Sequence, residues 1–372
     1  MFSNRAHWNA PTNRLTLARQ AYRGALLDLT NSNPTKAGLD YPLDELAEVM
    51  SKAARASYDP QPLGIASARE AVARELACDA ADIVITASTS EAYSFLFKLL
   101  CDPGDAVLTA RPSYPLLEHL AALELIELHY FALEFHQRWE IDPERLRATM
   151  SDRTRAILVV NPNNPTGSYV TAPEQDSIAQ LGLPVISDEV FHPFAFGDRA
   201  PSFVRDDVLT FTLGGLSKSA GLPHYKLGWI RISGPGKAAA IDALELIADN
   251  FLSVATPVQI ALPELLSIAP RIRSAIQMRT SQNLASLQTT LEKYPAARVL
   301  PVEGGWSAVI RVPRIESDEA LALRLIEEHG VIVHPGYFFD FESEGHVVVS
   351  LLTESAVFEE GIARLISSLP RT

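Results

Sequence analysis

Between residues 83 and 232 the chain carries a succession of short apolar runs separated by stretches with helical spacing. The runs are Ile83-Val84-Ile85-Thr86, Ala106-Val107-Leu108-Thr109, Ala156-Ile157-Leu158-Val159-Val160, Pro184-Val185-Ile186-Ser187 and Leu209-Thr210-Phe211-Thr212-Leu213, with Trp229-Ile230-Arg231-Ile232 a further candidate. Several are apolar at both alternating positions. A strand of that kind must bury both faces, as in a parallel sheet covered by helices. The pattern predicts an α/β fold whose large domain holds a mostly parallel sheet. Ligands of such sheets sit just beyond the carboxyl ends of the strands, so the residue after each run is the one to read.

After the first run, Ala87-Ser88-Thr89-Ser90 opens a helix, where free N–H groups, hydroxyls and the positive helix end suit an anion. After the second comes Arg111-Pro112-Ser113-Tyr114, an aromatic ring in a proline-stiffened turn. Asn161-Pro162-Asn163-Asn164-Pro165-Thr166-Gly167 follows the third, and Asp188-Glu189 the fourth. The fifth leads into Gly214-Gly215-Leu216-Ser217-Lys218-Ser219, a lysine among small residues. A buried amine loses stabilisation of its charge, its pKa falls, and it can condense with an aldehyde. Singly, each piece has an ordinary reading: a capped helix, a core tyrosine, a turn, a loop lysine. Their succession at consecutive strand ends does not. Phosphate site, ring, amide, carboxylate and lysine are the groups that pyridoxal 5'-phosphate requires.

The remainder sets limits. With 372 residues, 47% hydrophobic and 21% charged, the chain is long enough for a large and a small domain. A net charge of −13 argues against a nucleic-acid or anionic-membrane partner. Cys78 and Cys101 are too few for a disulfide framework or a cysteine metal site, and no metal is expected. The N-terminal residues lack the apolar core of a signal peptide and no run is long enough to span a bilayer, so a cytoplasmic location is expected. Leu27-Asp28-Leu29 reads as a strand ending in the turn-rich Thr30-Asn31-Ser32-Asn33-Pro34-Thr35, which could present Ser32 and Asn33 to a ligand or be a plain connection. From about residue 270 the pattern becomes a long helix (Arg271 to Lys293), a strand (Ser307–Val312), a helix (Glu319–Glu328), a strand (His346–Leu352) and a closing helix. The expected division is residues 1–40 as an arm and part of the small domain, 41–268 as the large domain, and 269–372 as a smaller α+β domain.

Over nearly its whole length the chain resembles the class I/II aminotransferases, fold-type I pyridoxal-phosphate enzymes. The matching pieces are Tyr58…Gly64…Arg69-Glu70-Ala71-Val72-Ala73, Thr86-Ala87-Ser88-Thr89-Ser90-Glu91-Ala92, and Pro103-Gly104-Asp105 with Pro112-Ser113-Tyr114. They continue through Asn163-Asn164-Pro165-Thr166-Gly167, Ser187-Asp188-Glu189-Val190-Phe191, Leu216-Ser217-Lys218 through Gly228-Trp229, and Pro335-Gly336. The resemblance implies that Lys218 holds the cofactor covalently and then carries a proton between substrate and cofactor. It further implies that Asp188 pairs with the pyridine nitrogen, Asn164 bonds the ring oxygen and Tyr114 stacks on the ring. Ser88, Thr89, Ser90, Ser217 and Lys226 would hold the phosphate, with Tyr58 reaching the phosphate of the second subunit of a homodimer. Ser253-Val254-Ala255-Thr256-Pro257 resembles an interface loop of the family.

Departures from the family bear on substrate. Ser88 stands where glycine is usual, Gly215 where serine is, Phe191 where tyrosine is, and Lys226 where arginine is. Val348 stands where the family places an arginine that grips the substrate α-carboxylate through two parallel hydrogen bonds; Arg111 is a candidate replacement. The expectation is an aminotransferase acting between a small-molecule amino donor and a keto acceptor. The alternatives are a lyase, decarboxylase or cyclase on the same fold and, more remotely, a non-catalytic sensor, whose usual DNA-binding segment is not evident.

Overall fold

The strand ends converge because of one eight-stranded sheet. A computed structural model describes residues 2–3, 5 and 11–370, so part of the expected arm lies outside the described residues. The strands are β1 (Ile83–Thr86), β2 (Ala106–Arg111), β3 (Glu127–Phe135), β4 (Trp139–Ile141), β5 (Thr154–Val160), β6 (Val185–Asp188), β7 (Thr210–Gly215) and β8 (Gly228–Ser233). Their order across the sheet is β1-β8-β7-β6-β5-β2-β3-β4. Strands β7, β6, β5, β2 and β3 are mutually parallel; β8 runs against both β1 and β7, and β4 against β3. Strands β1, β6 and β7 are buried at every position, as their two-faced apolar sequences require.

Strands β3 and β4 add to the runs legible in sequence. Glu127, His129 and Glu134 interrupt the apolar character of β3, whose polar side chains remain partly exposed near the sheet edge. The long helix also begins earlier than the expected Arg271. It spans Thr256–Leu291 and runs through Pro263 and Pro270, so the expected boundary between residues 268 and 269 falls inside a continuous helix. An interior proline costs a helix about 3 kcal/mol. Leu262, Leu265, Ala269, Ile272 and Ile276 of this helix are buried with the helices Leu43–Ala53 and Ala66–Leu76. Each buried Leu or Ile contributes about 1.5–3 kcal/mol, so together they offset both prolines.

The C-terminal part builds a second, antiparallel sheet from β9 (Arg298–Val299), β10 (Ser307–Arg311), β11 (His334–Pro335) and β12 (His346–Ser350), in the order β9-β10-β12-β11. Helices Asp318–His329 and Ser355–Ser368 pack against it. The N-terminal segment joins this body: Leu27–Asp28 pairs in parallel with Val331–Ile332, and Leu15 and Ala18 enter its core. Among the described residues no helix is long and apolar enough to cross a membrane.

Candidate active site

Strands β1, β2, β5, β6 and β7 point the same way, so their carboxyl ends meet along one rim. Strand β8 runs oppositely and starts at that rim, with Gly228 paired to Thr86 on one side and Gly215 on the other. A Cβ at Gly228 would lie 3.0 Å from the Ser88 carbonyl carbon and 3.1 Å from the Gly214 oxygen, so glycine permits this close approach. As a result Lys226, just before β8, lies beside the turn after β1 and the lysine after β7. A cavity of about 340 Å³ opens there, lined by Ser32, Ser88, Thr89, Ser90, Tyr93, Tyr114, Asn164, Asp188, Phe191, Ser217, Lys218, Lys226, Trp306 and Ser307, among others.

One wall is the start of the helix Thr89–Leu100. The Ser88 hydroxyl accepts from the Glu91 N–H at 3.3 Å, and the Glu91 carboxylate reaches back to the Ala87 N–H at 2.6 Å. These bonds fix the first turn. The Thr89 and Ser90 N–H groups stay without an intrahelical acceptor, as first-turn donors must, at the positive helix end. One turn on, the Tyr93 hydroxyl donates to Asp188 Oδ2 at 2.6 Å, while the Val190 N–H donates to Oδ1 at 3.1 Å. Asp188 is 8% exposed. Burial raises its pKa above the ordinary carboxylate value, and the two hydrogen bonds pull it back in part.

Lys218 sits in the turn after β7, which the Ser219 hydroxyl braces by donating to the Gly215 carbonyl at 2.7 Å. Its Nζ makes no hydrogen bond among the described residues and lies 5.4 Å from the centre of the Trp306 ring and 5.8 Å from that of Phe191. Burial lowers the pKa of this amine, partly opposed by the Asp188 charge. Phe191 and Phe194 pack edge-on against Trp306, which is only 3% exposed. Opposite, the Asn164 amide oxygen accepts from the Ser307 hydroxyl at 3.4 Å. Asn163 ties this turn to the one after β2, donating to the Pro112 carbonyl at 3.1 Å and the Thr166 hydroxyl at 2.9 Å.

The structure brings together Ser32, Ser88, Thr89, Ser90, Tyr114, Asn164, Asp188, Ser217, Lys218 and Lys226. It leaves the other expected positions outside the cavity. Asn33 caps the short turn at Thr35, accepting from its N–H and hydroxyl. Arg111 stacks on Tyr130, 3.5 Å above the ring centre, with Glu118 and Asp340 each 3.7 Å away. Tyr58 is 72% exposed and lines a separate crevice with Asp59 and Pro60. Val348 is 1% exposed and belongs to an apolar cluster with Val309, Leu300 and Phe339. Sequence reading missed Tyr93, Trp306 and Ser307. Tyr93 had a usable signal, since a residue three beyond Ser90 on a helix lies on the same face.

The family model for aminotransferase class I and II matches residues 26–365. The chain belongs to the class I and II aminotransferases. It is 34% identical over 224 residues to nicotianamine aminotransferase 1 from Oryza sativa subsp. japonica, covering 56% of this chain and 45% of the relative. It is 33% identical over 246 residues to an S-alkyl-thiohydroximate lyase from Arabidopsis thaliana, covering 61% and 53%. The chain thus spans about half the length of these curated relatives. The structure of an alanine aminotransferase from Pyrococcus furiosus superposes with a TM-score of 0.86 at 23% identity, covering 95% of each chain, a likeness of fold.

Class I and II enzymes work with pyridoxal 5'-phosphate, and the donors present fit it. Lys218 offers an unpaired amine to an aldehyde, Asp188 a buried carboxylate to a basic ring nitrogen, and the helix start with Ser217 and Lys226 a cradle for a phosphate. When bound, this cofactor supplies an electron sink for a carbanion formed at the substrate. Among the described residues no group of three or more His, Cys, Asp or Glu side chains could hold a metal.

Proposed function

We propose that this chain transfers an amino group between an amino acid or amine and a keto acid, in two half-reactions joined at Lys218. The observation that carries the proposal is the Lys218 amine, free of hydrogen bonds and depressed in pKa, in one cavity with the buried Asp188 carboxylate. A neutral amine is the form that attacks a carbonyl and takes a proton from the substrate carbon, and desolvation favours that form. Asp188 holds its negative charge against the ring nitrogen with help from Tyr93 and Val190. Thr89, Ser90, Ser217 and Lys226 bind the phosphate, with Ser88 shaping the turn. Asn164 orients the ring, Tyr114 covers the mouth, and Phe191 and Trp306 keep water from the lysine. Borohydride reduction of the holoenzyme followed by peptide mapping should label Lys218. Label on another lysine would overturn this assignment. A panel of amino acids and amines should convert the bound cofactor to its amine form, read by absorbance.

The working form we propose is a cytoplasmic homodimer. Tyr58 stands exposed and outside its own chain's cavity, which supports a role at the phosphate of a partner chain. Cys78 and Cys101 are free thiols, in keeping with a reducing compartment. Sedimentation tests the dimer, and recovery of activity on mixing Tyr58→Phe with Lys218→Ala subunits tests the shared site.

A lyase reading rests on one feature. No guanidinium of this chain lines the cavity among the described residues, and Val348 is buried where the family's carboxylate-binding arginine would be expected. Release of ammonia or carbon dioxide from the same panel, without conversion of the cofactor, would favour it.

A further inference from the structure

Behind the strand ends that carry Asp188 and Lys218 lies a second cavity, of about 430 Å³. The two share a wall. Asp188 lines the first and Glu189 the second; Gly215 lines the first and Gly214 the second; Lys218 lines the first and Ser219 the second.

Three guanidinium groups line the second cavity: Arg199, Arg231 and Arg273. Arg273 is committed, donating from Nε to the Ser219 carbonyl at 2.9 Å and pairing with Glu75 at 3.0 Å. Arg231 uses one N–H on the Leu76 carbonyl at 3.2 Å. Arg199 makes no hydrogen bond or ion pair among the described residues. The Glu189 carboxylate forms no ion pair with either. It accepts from the Ser187 hydroxyl at 3.0 Å, the Ser202 hydroxyl at 2.6 Å, the Phe203 N–H at 2.7 Å and the Asn161 amide at 3.3 Å. Two guanidinium groups without carboxylate partners therefore face one cavity in a chain whose net charge is −13.

We propose that this cavity is a binding site for a small oxyanion, a carboxylate or phosphate compound, separate from the cofactor cavity. Guanidinium groups present paired N–H donors that match the two oxygens of such a ligand, and a recess focuses their field more than an open surface does. Arg273 holds the carbonyl of Ser219, the residue after Lys218, so an occupant is in contact with the turn that carries the reactive amine.

The test is calorimetric titration of the holoenzyme with succinate and, separately, with inorganic phosphate. Saturable binding of either probe at one per chain is expected. It should weaken about tenfold or more in Arg199→Gln and in Arg231→Gln, the loss expected when a charge-assisted bond is removed. Which probe binds distinguishes a carboxylate from a phosphate ligand. Arg199 has no structural bond to lose, so Arg199→Gln keeps the test valid if Arg231→Gln folds poorly. Absence of saturable binding with both probes overturns the proposal. So does binding that Arg199→Gln leaves unchanged, since that probe would then occupy another site.

Discussion

The hydroxyl of Tyr93 lies 2.6 Å from Oδ2 of Asp188, one helical turn beyond the start of its own helix. One helix therefore supplies both the cavity wall that we propose for the phosphate and support for the Asp188 carboxylate. Burial raises the Asp188 pKa, and the Tyr93 bond is the largest opposing influence. In Tyr93→Phe the carboxyl should take up protons at higher pH. Loss of a hydrogen bond to a charged group is expected to lower kcat about tenfold or more, with the acid limb of the kcat profile moved upward. An unchanged acid limb would show that Asp188 holds its charge without Tyr93.

Lys226 is exposed, adopts a left-handed backbone with φ 49° and has no ion pair among the described residues. It lines the cavity, and it is the cation that we propose for the phosphate. Lys226→Ala should weaken cofactor binding about 10- to 100-fold, measured by equilibrium dialysis. Lys226→Arg should bind at least as tightly as the natural chain, because a guanidinium bonds two phosphate oxygens at once.

Gly228 joins the strand that crosses the rim to the turn at Ser88. A methyl group there meets backbone atoms at 3.0 and 3.1 Å, and backbone cannot swing aside as a flexible side chain can. Gly228→Ala should cost about 1–3 kcal/mol of stability, read from chemical denaturation. It should also weaken cofactor binding, because the displaced atoms belong to the turn at Ser88 that we propose for the phosphate.

Asp318 makes the stability of the small body depend on pH. It is 2% exposed, and burial raises its pKa from 3.8 to about 6, against hydrogen bonds from the Gly345 and His346 N–H groups. A folded-state pKa above the unfolded one means that the folded form binds more protons. Asp318's contribution is thus most favourable below about 4 and is lost as pH rises through about 6. Asp318→Asn retains an oxygen acceptor and should remove this slope from denaturation curves measured between pH 4 and 6. A slope that persists would overturn the assignment to Asp318.

The main sheet was legible because strands buried on both faces must be apolar throughout, as Ile83–Thr86 and Val185–Asp188 are. Strands Glu127–Phe135 and Trp139–Ile141 were not, because an incompletely covered strand tolerates Glu and His among its apolar positions. The long helix was legible only after Pro270, since local propensity speaks against prolines that buried Leu and Ile residues outweigh.

At the candidate site, local sequence sets which groups stand at successive strand ends, from Ser88 through Asn164 and Asp188 to Lys218. Strand direction is a local consequence of apolar runs alternating with helices, so it constrains which end carries each group. Which of them face one another follows from long-range packing. It set Tyr93 against Asp188, Trp306 and Phe191 around Lys218, and Lys226 beside the helix start. It also turned Arg111 onto Tyr130 and Val348 into an apolar cluster. These outcomes depend on contacts between segments tens to hundreds of residues apart. Whether an arginine enters a cavity or stacks beside it depends on neighbours that local sequence does not specify.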